Sequence, residues 1–479
     1  GDDPLTIEID RAIELIKIKI QSDKDRLILN FDGDPLVQVL NGRYGAFIQV
    51  SPPKGKKINV KIPKDLEPKE LTREKCLELM ENQPKSKFKR NKKKMEIASN
   101  FIPLNPGLYS VKERWNPSQI GFQIDSHTQE SFPNVDYAEI AIFNVPEYEG
   151  TDNVATTADC KIRDAFYRLY FDDLPKVADL GTLSMMPTRK ESFELITEVC
   201  TDLIDKGIIP VIIGGGQDIS YAIYKSYANL QKGMTFCSVD STFDIGKQED
   251  KLNAKSFLSK IISYKPNYLF NYINLGYQTY FVKPEEISLL EGLNFEVNRL
   301  GEVKNNMYEI EPLLRNADFL SFDLSCVKSS FVMSNVYSTP NGFDGEEACR
   351  ISRYAGISDK ISCFGIFEYN QDLDENNQGS QLISQMMWYF LEGVRSRKHE
   401  LNPNVNNCVK YTVAFEDEQT QIVFYKSKTS GRWWMGVPFK SSKTDEMDNY
   451  FVACSYHDYE KANKGEIPQR WIKTYNRFL

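Results

Sequence analysis

Histidine is nearly missing from this chain. Only His127, His399 and His457 occur among 479 residues. The shortage matters because imidazole is the commonest protein ligand for transition metals and the usual general base near neutral pH. Nine cysteines are scattered with no CxxC pair, which argues against a structural zinc site or a disulfide framework and fits a reducing, cytoplasmic setting. No apolar run approaches the roughly 20 residues of a membrane span, and no secretory signal opens the chain, so no membrane partner is expected. An initiator Met is also absent, and the first residues already follow a helical pattern, as in a fragment or a trimmed chain. Hydrophobic content of 41% and charged content of 26% are those of a globular protein. The length suits about two to four domains with ample material for a core.

The modest net charge of −8 hides an asymmetry. Up to Lys94 there are 21 Lys and Arg against 15 Asp and Glu; beyond it the figures are 38 against 52. The first part can meet a polyanion, while the rest would repel one. The two parts meet at PKSKFKRNKKK (Pro84 to Lys94), which carries seven basic residues in its last ten and almost nothing apolar. Such a run reads as a disordered linker or as a nucleic-acid-contacting arm. Met95 follows at once, so the junction looks like one gene's end joined to another's start, natural or engineered. The boundaries expected are 1–84, a basic linker over 85–94, a large domain over 95–400 and an accessory segment over 401–479.

In the first of these, DPLTIEIDRAIELI (from Asp3) matches EPKELTREKCLELM (from Glu67) at a spacing of 64. Each reads as a capped amphipathic helix, with Thr6 or Thr72 near its start. Between them, apolar stretches Val37–Leu40, Ala46–Val50 and Ile58–Ile62 flank the turn NGRYG, an Asn-Gly hairpin signal. VLNGRYGAFIQ followed by KINVKIPKDLEPKELTREKCLELM resembles the C-terminal repeat of bacterial type IA DNA topoisomerases. That resemblance implies a hold on single-stranded DNA. Tyr44 and Phe47 offer rings for base stacking, and Arg43, Lys54, Lys56, Lys57 and Lys61 can track phosphates. The competing reading makes the two rings hairpin core and the lysines a solvated face. No topoisomerase catalytic domain accompanies the repeat.

The large domain is organised around IIPVIIGGGQDISYAIYKSYANLQKGMTFCSVDSTFDI (Ile208 to Ile245). Apolar β-branched runs alternate with helical patterns, which predicts a parallel sheet covered on both faces. Strands are expected at Glu139–Val145, Ile208–Ile213, Phe236–Val239, Tyr268–Leu275, Phe319–Leu324 and Ile361–Phe367. The helical patterns between them complete a doubly wound, three-layer α/β/α architecture. In such sheets, polar groups just past the strand carboxyl ends gather at the ligand crevice. Gln217, Asp218, Asp240 and Asp244 fall there.

The loop GGGQD, the strand ends DSTFD (Asp240 to Asp244) and SFDLS (Ser321 to Ser325), and the downstream STPNGFDGEEA and FGIFEYNQDLD follow in the order found in the ureohydrolases. This is the family of arginase, agmatinase and formimidoylglutamase. In that family a GGxH loop, a DxHxD strand end and a later DxD hold a pair of manganese ions that activate hydroxide for attack on a guanidinium or formimino carbon. By resemblance, Asp240 and Asp323 match the bridging carboxylates, Gln217 and Asp244 the further ligands of one ion, and Thr242 and Ser325 those of the other. Three of the family's carboxylates are therefore present. Both histidines and the last aspartate are replaced, so the second-metal position is expected to be lost. The first could persist as an oxygen-only site of Asp240, Asp244, Asp323 and the Gln217 amide for one divalent cation, Mn²⁺, Mg²⁺ or Ca²⁺. Converging carboxylates without a cation repel and raise each other's pKa, which argues for a cation or a basic partner. Glu347 matches the family's substrate-orienting glutamate.

In the tail, Tyr411–Phe415 and Ile422–Tyr425 read as paired strands before GRWWMGVPF, and EIPQRWIKTYNRF as an amphipathic basic helix. Trp433, Trp434, Trp471 and Tyr475 are expected to form the core of a small appended unit rather than a partner surface. The combined expectation is a DNA-binding repeat fused to a ureohydrolase-like domain with a degraded metal site, acting by binding a small-molecule or protein ligand, as monomer or oligomer. The alternative is an active metal-dependent C–N hydrolase for a guanidino or formimino compound.

Overall fold

The computed structural model describes residues 27–33, 35–42, 45–51, 58–62, 66–81, 97–109, 115–155, 161–247, 251–415, 421–440 and 447–479. The chain divides into two compact units, Gly1–Met95 and Glu96–Leu479.

In the first unit, β1 (Leu27–Phe31), β2 (Leu36–Gly42), β3 (Gly45–Ser51) and β4 (Ile58–Lys61) form an antiparallel sheet in that order. Strand alternation sends Val37, Val39, Ile48, Val50 and Val60 to one face, where they are buried with Leu71 and Cys76. Cys76 belongs to the helix Arg73–Glu81, whose start is capped by Thr72: its hydroxyl accepts from the Lys75 N–H at 3.3 Å. The β2–β3 hairpin is tight, as expected, with Gly42 opposite Gly45, but the Asn41-Gly42 pair lies within β2 rather than in the connection. Arg43, Tyr44, Lys54, Lys56, Lys57, the first copy of the repeat and the basic linker lie outside the described residues.

The second unit is built on ten strands: β5 (Phe101–Ile102), β6 (Asp125–Ser126), β7 (Ile140–Val145), β8 (Val177–Leu183), β9 (Ile209–Gly214), β10 (Met234–Val239), β11 (Leu269–Tyr277), β12 (Glu296–Arg299), β13 (Phe319–Asp323) and β14 (Cys363–Phe367). Their order is β12-β11-β10-β13-β14-β9-β7-β8-β5, with β6 beside β8. Every pairing is parallel except β5 with β8. Continuous burial along β7, β9, β10, β13 and β14 reflects helices on both faces. One face carries Val239, Phe322 and Ile366 against the helices Gly345–Ile357 and Gln378–Arg395. The other carries Phe236 and Phe319, stacked at 5.2 Å, against Phe257.

β8 reads VADLGTL and was not legible as a strand, because Asp179 and Gly181 interrupt its apolar run. The structure explains the interruption. Arg163 donates to Asp179 at 2.8 and 3.0 Å, Tyr167 donates to it at 2.9 Å, and the pair is sealed from water. A buried charge is tolerated when its hydrogen-bonding capacity is filled this way.

Four further strands form a third sheet, antiparallel in the order β15 (Cys408–Ala414), β16 (Gln421–Ser427), β17 (Trp433–Lys440), β18 (Met447–Cys454). The helix Gln469–Asn476 lies on it, and Trp471 donates to the Gly436 carbonyl at 2.9 Å. Trp433, Trp434 and Trp471 are buried core, as expected, and Tyr475 is partly buried against it. The sheet is fastened to the main domain through Arg315, which donates to the carbonyls of Trp433 and Cys454 at 3.2 and 2.9 Å, and through Lys473, which donates to that of Phe295 at 2.7 Å.

Candidate functional site

Four neighbouring strands deliver the site. β10, β13, β14 and β9 lie side by side, and their carboxyl ends run into Asp240, Asp323, Glu368 and Gln217. The glycine loop after β9 must pass tightly under its neighbour: a Cβ on Gly215 would fall 1.9 Å from the Glu147 carbonyl oxygen, so no larger residue fits. Asp240, Asp244 and Asp323 each place one carboxylate oxygen within 4.8 Å of the others. Thr242 bridges two of them, its hydroxyl reaching Asp244 at 2.9 Å and Asp240 at 3.2 Å, while its N–H donates to Asp240 at 2.9 Å. Asp323 accepts from the Ser325 N–H at 2.6 Å and so caps the turn after its own strand.

Gln217 is fully buried and completes the cluster. In the orientation that satisfies both ends of its amide, the nitrogen donates to Asp240 at 2.8 Å and Asp244 at 2.9 Å, and the oxygen accepts from the hydroxyls of Ser238 and Ser321 at 3.2 Å. Those serines are register partners on β10 and β13. The opposite orientation has the nitrogen donating to the two serines at 3.2 Å and the oxygen facing the carboxylates; ionised carboxylates, which only accept, favour the first. The Gln217 N–H donates to Glu368 at 3.0 Å, and Glu368 also accepts from the Thr151 hydroxyl at 2.8 Å. Asp244 and Glu368 both hold positive φ, +52° and +63°. Left-handed backbone in non-glycine residues costs on the order of 1–3 kcal/mol and concentrates at functional sites.

Loss of water drives the electrostatics. Burial, and then the neighbouring Asp244, pushes the Asp240 carboxyl well above the usual range. Burial and Asp240 do the same for Asp323, and burial and Asp323 for Glu368. Asp244 is raised to about 7, by desolvation first and also by the charge of Asp323. A set of hard oxygen donors held together against such repulsion fits a divalent cation chemically, and Asp240, Asp244 and Asp323 are the residues that would hold it. Above them opens a pocket of about 470 Å³ walled by Phe243, Phe281 and Tyr337, with Lys255 and Lys283 also among its lining residues.

A model of the arginase family matches residues 140–392, more than half of the chain. The chain belongs to the arginase family. A topoisomerase C-terminal repeat precedes the arginase-family domain, matched over residues 30–91. The chain is 44% identical over 79 residues to DNA topoisomerase 1 of Xylella fastidiosa, a stretch that makes up 16% of this chain and spans only 9% of that relative's length. The arginase-family domain is similar in fold to Trypanosoma cruzi formiminoglutamase solved with Mn²⁺, at 19% identity and a TM-score of 0.50, covering 55% of this chain and 96% of that one. Formimidoylglutamase from Bacillus subtilis gives 18% identity and a TM-score of 0.50 over 57% of this chain and 95% of its own. At these identities the likeness is one of fold.

Within the arginase-family domain the structure gathers Gln217, Asp240, Thr242, Asp244, Asp323 and Ser325 into one cluster. Glu347 is placed elsewhere. Its carboxylate closes a capping box with Asp344 at the start of the helix Gly345–Ile357 and pairs with Lys304. Glu368, which lines the pocket beside Asp323, is the acidic residue that sequence reasoning left without a role. Its signal was its position: the first residue past an apolar strand, inside the quoted FEYN. In the topoisomerase-type repeat, Phe47 is half-buried and lies outside the core cluster, one residue before the inward-facing Ile48. It stands opposite Leu40 on β2 and Lys61 on β4. No helix among the described residues is long and apolar enough to cross a membrane.

Proposed function

We propose that the arginase-family domain works by binding rather than by hydrolytic turnover, in a chain whose N-terminal repeat engages single-stranded DNA. The observation that carries the first half is the Gln217 amide. In the orientation that ionised carboxylates favour, its N–H groups reach the Asp240 and Asp244 oxygens that would otherwise face a cation, at 2.8 and 2.9 Å. A cation there must displace two buried hydrogen bonds, each contributing about 0.5–1.5 kcal/mol, or about 1.5–3 kcal/mol where the carboxyl is ionised. The position that resemblance gives to the second ion offers only the side chains of Thr242 and Ser325 beyond the shared carboxylates, and neutral hydroxyls are poor ligands beside imidazole and carboxylate. A bridged hydroxide therefore has no paired-ion support. The DNA half rests on the repeat itself and on Phe47 standing outside the core of its sheet with Lys61 opposite in register.

The convergence of Asp240, Asp244 and Asp323 favours a second reading, an active metal-dependent C–N hydrolase. Manganese stoichiometry on the intact chain separates the two. The binding reading expects one ion or none, and a gain in Mn²⁺ uptake when Gln217→His, Thr242→His and Ser325→Asp are introduced together. Two ions per chain, with urea or formamide released from guanidino or formimino compounds, would establish the hydrolase.

A further inference from the structure

We propose that two copies of the chain join through the open edge of the third sheet, where β15 pairs antiparallel with the second copy's β15 across a two-fold axis at Tyr411. The proposal goes beyond the crevice and does not depend on what it binds: no residue lining that pocket belongs to this sheet.

An unpaired strand edge presents a row of backbone N–H and C=O groups that can template another strand. Next to β15, the Asn407 carbonyl accepts from the Lys428 N–H at 3.0 Å. The register runs unbroken from Cys408 opposite Ser427 to Ala414 opposite Gln421. Alternation from the Asn407 bond turns the backbone of Val409, Tyr411 and Val413 toward β16, and that of Cys408, Lys410, Thr412 and Ala414 outward. Among the described residues no hydrogen bond reaches the outward groups of Lys410 and Thr412. The other sheet edges are short, irregular or blocked. β1 carries a register shift, β4 and β12 have four residues each, and β5 has two. On β18, Asn316 fills the N–H and the carbonyl of Ala453, at 2.9 and 3.2 Å. β15 has seven residues, with no proline and no bulge. Lys410 does not guard its edge, because the ammonium lies over the Tyr425 ring of the same sheet, at 5.7 Å.

The strand's own order of residues names the occupant. Val409, Tyr411 and Val413 share one face, and Val-Tyr-Val reads the same in both directions. A two-fold axis at Tyr411 sets Val409 opposite the second copy's Val413 and brings the two Tyr411 rings together. Each ring already stacks on Trp433 of its own core at 5.2 Å, so pairing prolongs an aromatic cluster. Val409 is 38% exposed and gains cover. On the opposite face Lys410 meets Thr412 and Cys408 meets Ala414, so no like charges stand opposite. A register that set Lys410 against itself would oppose two ammonium groups. With β18 blocked, one open edge per copy closes as an isologous pair and offers no further edge to extend.

Sedimentation velocity of the full chain at micromolar concentration tests the pairing. Proline at an outward position removes an N–H that β16 does not use and leaves the ladder inside the sheet whole. Thr412→Pro should weaken self-association at least tenfold, while Thr412→Ala keeps it and the two variants melt together. Oxidation reads the register. Ala414→Cys, at an exposed position, sets a thiol opposite the second copy's Cys408. The roughly 5.5 Å between Cα atoms of a hydrogen-bonded pair is within disulfide reach. Inside one copy the two positions lie about 20 Å apart along the strand, which is out of reach. Oxidised Ala414→Cys should run as a covalent dimer that disappears when Cys408→Ser is added. Should Thr412→Pro melt early, the Ala414→Cys result decides alone. A parent chain that sediments as a monomer leaves the edge to another occupant and overturns the proposal. Self-association untouched by a folded Thr412→Pro, no covalent dimer from Ala414→Cys, or one that survives Cys408→Ser overturns it equally.

Discussion

Replacing Gln217 by Leu separates the two orientations of the amide, which predict opposite signs. With the nitrogen toward Asp240 and Asp244, leucine removes two buried hydrogen bonds, of 2.8 and 2.9 Å, to carboxylates. Bonds to charged groups are worth roughly 1.5–3 kcal/mol each. Thr242 still serves both aspartates, so the variant loses part of this sum, about 3 kcal/mol. A domain of this size shifts its melting temperature by about 2 °C for each kcal/mol, which puts the expected drop at ~6 °C. Thermal unfolding of the full chain at pH 7.5 in EDTA, followed by near-ultraviolet dichroism, reads it directly. Millimolar Mn²⁺ should then recover more of the loss in the variant than it adds to the parent, since the ion and the amide hydrogens compete for the same oxygens. A leucine variant as stable as the parent, or more stable, would mean that the amide oxygen faces the carboxylates, and the account of Gln217 as a neutral occupant of the site would be wrong.

Other perturbations reach different parts of the molecule. Arg163→Ala strands the Asp179 carboxylate in a closed interior with only Tyr167 and the Gly181 N–H as donors, and should cost about 3–5 kcal/mol in urea unfolding; a loss under 1 kcal/mol would contradict a sealed pair. Asp244 binds its proton up to about pH 7 in the folded chain, against an ordinary value of 3.8, so its contribution is fully present below about pH 4 and disappears as pH rises through 7. Melting temperature should therefore fall across that interval, and Asp244→Asn should flatten the fall; a parallel profile in the variant excludes Asp244 as its source. Tyr44→Ala with Phe47→Ala should weaken single-stranded oligonucleotide binding by the full chain by about 1–3 kcal/mol for each base unstacked, with the salt dependence kept. Unchanged affinity rules out the stacking role.

Much of the arginase-family fold was legible in the sequence because parallel strands buried on both faces are written as continuous apolar runs, as at Ile208–Ile213 and Phe236–Val239. β8 and β12 were not. The first hides an ion pair inside the strand, with a partner 16 residues away in Arg163, and the second is four largely polar residues on the sheet edge. The helices Leu300–Asn305 and Ile310–Arg315 are too short to establish a periodicity. The acidic cluster was readable from strand-end position alone. The partners of the Gln217 amide were not, since Ser238 and Ser321 are brought together only by strand register. Glu347 shows the converse. A motif position marked it, while local helix chemistry, a cap and Lys304, claims its carboxylate.

The docking of the third sheet bears on where this molecule can be cut. Arg315 has its carbonyl acceptors at Trp433 and Cys454, both past the last residue of the family match, and it lies under the Trp434 ring at 4.9 Å. A product ending near residue 400 would keep the guanidinium and discard its acceptors, and would bare the flank that residues 294–316 present to the tail. Deletions that follow family borders should accordingly yield sticky, poorly recovered material.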